Sequence, residues 1–116
     1  MNYRLNYADT QSESLTDARS RERELLRRSI HLMKEAQGSA GSARAAIEAV
    51  HFASRIWTVF LEDLSSRENA LPGKVRADLI SVGIWILRDL EAIRNGTISD
   101  FSDIIDVTEI IRDGLL

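Results

Sequence analysis

The stretch from Ala43 to Leu64, ARAAIEAVHFASRIWTVFLEDL, constrains the fold more than any other part of the chain. It contains neither Pro nor Gly and is long enough for roughly six turns of α-helix at 3.6 residues each. On a helical wheel, Ala46, Ile47, Val50, Ser54, Trp57, Leu61 and Leu64 share one face. Ala45, Ala49, Phe52, Ile56, Val59 and Phe60 form a second apolar face beside it. Only the narrow stripe Arg44, Glu48, His51, Arg55, Thr58 and Glu62 is polar. A surface helix shows one apolar stripe, whereas a helix apolar around most of its circumference is covered on several sides. The stretch therefore predicts a central helix with others packed around it. Glu48, Arg55 and Glu62 interrupt it too often for a membrane span.

The rest of the chain supplies those neighbours. Thr10 with Glu13, and Ser14 with Asp17, have the spacing of a capping box, so a first helix is expected over 12–37. Gly38-Ser39-Ala40-Gly41 ends it, and Ser39 or Ser42 caps the central helix over 42–64. Pro72 suits the first position of a third helix over 72–95, in which Val75, Leu79, Val82, Ile86, Leu90 and Ile93 make one apolar stripe. Gly83 lies within this helix at a cost of about 1 kcal/mol relative to Ala, which close approach of a neighbouring helix would offset. Asn95-Gly96 closes it, and Ser99 caps a fourth helix over 99–115. The expected fold is an all-α bundle of four main helices in one domain, 1–116, with the second helix central. Residues 1–9 are left as a short arm or turn, either frayed or docked through Tyr3 and Tyr7, which lie four apart. Trp57, Ile56, Leu61, Val82, Gly83 and Ile86 are the expected structural core.

Composition narrows the function classes. With no Cys there are no disulfides and no thiol chemistry, which fits a cytoplasmic protein. The N-terminus shows no apolar signal segment. The two histidines, His31 and His51, sit in no HExxH or H-x-x-E pattern, and GSAG is a helix connector rather than a phosphate-binding turn. No arrangement suggests an active site, so the expectation is a binding module and not an enzyme. No metal, cofactor, membrane insertion or small-molecule substrate is expected. The net charge of −3 disfavours a general nucleic-acid binder. Arg19, Arg23, Arg27, Arg28 and Lys34 on the first helix leave RNA contact as an alternative, although Glu22 and Glu24 interleave them.

One aromatic stands apart. Trp85 falls on the polar side of the third helix, among Asp78, Ser81, Arg88 and Asp89. Either it is a half-buried ring covered by Tyr3 or Tyr7, or it is a partner-binding anchor with Asp78, Arg88 and Asp89 as its polar rim. If neither holds, the acidic face Asp103, Asp106, Glu109 and Asp113 of the last helix is the next surface to consider.

Residues 49–93 add a further pattern. Arg55 and Trp57 are followed by Leu61-Glu62-Asp63-Leu64, a short loop containing Asn69, then Leu71-Pro72, Arg76-Ala77-Asp78-Leu79-Ile80, and Gly83 inside an apolar helix. This ordered set resembles the FlaF family of small flagellar biosynthesis regulators of alphaproteobacteria. The segment Ile105 to Leu116 resembles that family's close, and Tyr3 and Tyr7 fit its start. The resemblance implies a cytoplasmic regulator that promotes flagellin production after transcription. Its expected partners are flagellin, in a chaperone-like way, or a FlbT-type repressor of flagellin message translation. The alternatives are direct binding of flagellin messenger RNA through the Arg-rich first helix, and a helical module unrelated to flagella.

Overall fold

The computed structural model describes residues 7–38, 42–97 and 100–114, with the side chains of the first helix described from residue 16 onward. Four helices carry the described chain: α1 (Tyr7–Gln37), α2 (Ala43–Ser65), α3 (Gly73–Arg94) and α4 (Ser102–Gly114), with no strand among the described residues. The all-α architecture follows from the 3.6-residue periodicity of each segment and the shortness of the connections.

Helix ends differ from the sequence expectation in three places, each for a local reason. Helix α1 begins at Tyr7, so Thr10 and Ser14 lie inside it rather than at its start. No Gly or Pro interrupts 7–37, and once nucleated a helix gains a hydrogen bond for each residue added. Pro72 is the N-cap of α3, in an extended conformation (φ −55°, ψ 146°), and its carbonyl accepts from the Arg76 N–H at 2.9 Å. Helix α4 begins at Ser102, and Ser99 lies outside the described residues. Its entry is set by Phe101, which is buried in the core. The Phe101 N–H donates to the Gln37 side-chain carbonyl at the end of α1, and the Ser102 N–H donates to Asp100 Oδ1 at 3.0 Å. Two other ends match the expectation. Ser42 Oγ accepts from the Ala45 N–H at 3.0 Å. Gly96 adopts a left-handed φ of 78°, and the Gly96 and Thr97 N–H groups return to the Ile93 and Ala92 carbonyls.

The neighbours run antiparallel. Glu22 lies beside Asp63 while Arg28 lies over Phe52, so α1 and α2 are numbered in opposite directions along their contact. Leu61 and Trp57 face Gly83, whereas residues from Ala43 to Ser54 face Glu91–Arg94, which sets α3 antiparallel to α2. Gln37 meets Ser102 while Lys34 meets Glu109, which does the same for α4 against α1. Helix α1, at 31 residues the longest of the four, is in keeping with a longest dimension of 54 Å.

Helix α2 lies between α1 and α3, and α4 packs chiefly against α1. One cluster of buried side chains joins all four helices, from Leu26 and Met33 through Trp57 to Leu90 and Ile104. Trp57 is 2% exposed, Ile56 and Ile86 are buried with it, and Val82 packs half-buried against the same cluster. Cover around α2 is less complete than its wheel predicts: Ile47 is 68% exposed and Val59 60%. The reason is the placement of α4. Docked on α1, it leaves α2 with two flanking helices, and the edges of both apolar faces reach solvent.

Candidate partner-binding surface

The residues singled out around Trp85 do not form one exposed patch. Trp85 is half-buried and packs against the core cluster. Val82 and Asp89, at i−3 and i+4, are half-buried along the same edge of α3. That edge is a boundary between core and solvent rather than a polar face, which is why a wheel drawn from charges alone misplaces the indole. Asp78 is exposed about two turns away and pairs with Lys74 at 3.6 Å, and Arg88 is exposed. Tyr3 and the side chain of Tyr7 lie outside the described residues. On α4, Asp103, Asp106 and Asp113 are exposed. Glu109 is half-buried between Lys34 at 3.7 Å and Arg112 at 3.9 Å.

Two open apolar grooves flank α2. One lies between α2 and the last turn of α3, is about 580 Å³ in volume, and is floored by Ala46, Val50 and Ile93 with Ile47 at its lip. Its mouth charges satisfy each other, since Arg94 Nε donates to Glu91 Oε2 at 3.0 Å. The other, about 290 Å³, lies between α1 and α2 and is lined by Leu25, Phe52, Ile56, Val59 and Phe60 with His51 and Arg55. The Arg28 guanidinium lies over one of these side chains, 5.5 Å from the centroid of the Phe52 ring. The helical wheel places Phe52, Ile56, Val59 and Phe60 on a covered face. The signal that marks them as an opening is the position of Val59, at the edge of the polar stripe one turn from Arg55.

A small cavity of about 80 Å³ closes the far end of the bundle, where Glu22, Leu26, Trp57, Asp63, Leu79 and Ile111 draw all four helices together. Asn69 pins the α2–α3 loop there. Its Nδ2 donates to Asp63 Oδ2 at 3.1 Å, and its Oδ1 accepts from the Leu71 N–H at 3.0 Å. Burial raises the Glu22 carboxyl above its ordinary range and the neighbouring Asp63 adds to the rise, against the opposing pull of Arg19 and Arg21. A raised folded-state value means that the contribution of Glu22 to stability is full below its unfolded value and is lost as pH rises through the folded one. Glu22→Gln, which mimics the protonated side chain, should therefore raise the melting midpoint at neutral pH and leave it unchanged below about pH 4. A lower midpoint at neutral pH would contradict this.

Chemistry-bearing groups are dispersed. His31 is exposed and pairs with Glu35 at 3.1 Å, His51 lies on the exposed stripe of α2, and no three His, Cys, Asp or Glu side chains converge among the described residues. No helix among the described residues is long and apolar enough to cross a membrane.

The family described as flagellar protein FlaF matches residues 3–115. The chain belongs to the FlaF family. No curated protein and no solved structure matches it. Within this FlaF chain, the run from Arg55 to Gly83 is the α2–α3 hairpin. Trp57 and Gly83 form its contact, Asn69 holds its loop, and Leu71-Pro72 leads into α3.

Proposed function

We propose that this FlaF-family chain promotes flagellin production after transcription by binding a protein partner. That partner is flagellin, held in a chaperone-like way before export, or a FlbT-type regulator of flagellin message translation. On this reading the chain works in the cytoplasm, where flagellin is made, and acts by binding rather than catalysis. The observation that supports it best is the open apolar groove between α1 and α2 in a chain of a flagellar family. Such a groove suits the apolar face of an amphipathic helix.

Direct RNA binding through α1 is less well supported. Arg27 is engaged by Glu24, and the same contact holds the Glu24 carboxyl below its ordinary range. Lys34 reaches Glu109 on α4, and Arg28 lies over Phe52. Phosphate would have to displace these contacts one by one. Titration of the purified protein against flagellin, a FlbT-type regulator and the flagellin leader RNA, at several salt concentrations, separates the two. Binding to either protein with no RNA binding at physiological salt is the expected result. Tight RNA binding that falls steeply with salt, without protein binding, would reverse the assignment.

A further inference from the structure

We infer that the groove between α1 and α2 takes an amphipathic helix whose flank is acidic. This rests on the protein-binding reading above and supplies the chemistry of the partner. The floor is apolar, with Ile56 buried and Phe52 and Phe60 half-buried. Leu25 on one wall and Val59 on the other stay open, at 37% and 60% exposure. Phe52 and Val59 stand seven residues apart on α2, two turns or about 10 Å, the spacing of successive apolar anchors on an incoming helix.

The charge on the rim selects the flank. Arg55 and His51 line the groove and Arg28 lies over its Phe52, while no carboxylate lines it. Arg55 forms no ion pair among the described residues. The nearby acids of α1 are already engaged, Glu24 by Arg27 and Glu35 by His31. In a chain of net charge −3, this sets two guanidiniums, Arg28 and Arg55, beside an apolar floor, with Glu48 and Glu62 of the same α2 stripe outside the lining. A wholly apolar partner would strip water from Arg55 and return nothing, whereas Asp or Glu beside the apolar stripe gives the guanidinium a partner.

Two synthetic helical peptides of about five turns test this on the full chain. They share one leucine stripe and differ only in flanks of Glu or Lys. The Glu peptide should bind at least about tenfold more tightly than the Lys peptide, and less tightly as salt rises. Backbone amide shifts should centre on Leu25, Phe52 and Val59. Val59→Glu should abolish binding and Arg55→Glu should invert the flank preference, both with an unchanged melting midpoint because both side chains are exposed. Equal affinity for the two peptides, shifts centred on the α2–α3 groove, or indifference to Val59→Glu would each overturn the inference. So would concentration-dependent dimerisation lost in Val59→Glu, which would assign the groove to a second copy of the chain. Flagellin and the FlbT-type regulator are then titrated on the same variants. If they bind wild type and Val59→Glu equally, this inference falls and the protein-binding reading stands. If neither binds wild type while the Glu peptide does, the groove stands and the choice of partners falls.

Discussion

Trp57→Ala should lower the unfolding free energy by about 3–5 kcal/mol, the range for emptying a fully buried aromatic site. Trp57 is 2% exposed, its ring meets Phe60 edge-on at 5.6 Å between centroids, and its Cε3 lies against Gly83. Phe60 and the backbone at Gly83 hold the site open, so it has little room to collapse around a methyl group. For a chain of this size the loss corresponds to roughly 10–20 °C in the melting midpoint. Trp57→Phe should cost much less. The indole N–H is buried with no hydrogen-bond partner among the described residues, so Phe gives up ring area but no polar contact. Thermal unfolding of the two variants checks both points, and an unchanged midpoint in Trp57→Ala would contradict the placement of Trp57.

Gly83→Leu should destabilise by about 1–3 kcal/mol through overpacking. A Cβ at Gly83 would stand 2.8 Å from Leu61 Cδ2, 3.1 Å from Leu61 Cγ and 3.2 Å from Trp57 Cε3. Leu61 is half-exposed and its tip can swing away, but Trp57 is fixed in the core. Gly83→Ala gains helix propensity of about 1 kcal/mol, which offsets part of the squeeze, so its net effect should be small. The contact is then visible as coupling. Leu61→Ala should relieve the strain of Gly83→Ala, making the double variant more stable than the sum of the single changes predicts. Strict additivity would remove the close α2–α3 approach from the account.

The two changes also show how far the sequence discloses the fold. The Ala43–Leu64 periodicity and the Gly inside the third apolar stripe locate α2, α3 and their contact, because burial and close approach leave a repeating pattern in residue type. Helix starts were less legible. Phe101 and Gln37 set the entry of α4 through a contact across 64 positions of chain, which no local cap signal reports. The exposure of Ile47 and Val59 was also hidden, since it depends on α4 choosing α1 over α2 as its partner. The charged neighbours of Trp85 in sequence suggest a polar face, yet that edge of α3 borders the core. The flagellar family was legible from ordered motifs whose residues prove to be structural: Trp57, Asn69 and Gly83 hold the hairpin. The groove that supports the binding proposal has no motif at all. It is formed by side chains from two helices that become neighbours only in the fold.

The central claim is that this FlaF-family chain acts through a protein partner rather than through phosphate contacts along α1. It is tested most directly by the flagellin level in cells lacking the gene and supplied with a variant in which Arg19, Arg23, Arg27 and Lys34 are all glutamine. The four substitutions remove four of the five basic side chains named for RNA contact and leave Arg28, which lies over Phe52, with Arg55 and the apolar groove in place. The account predicts flagellin at the wild-type level. A folded, normally abundant variant that fails to restore flagellin would contradict it and move the function to RNA.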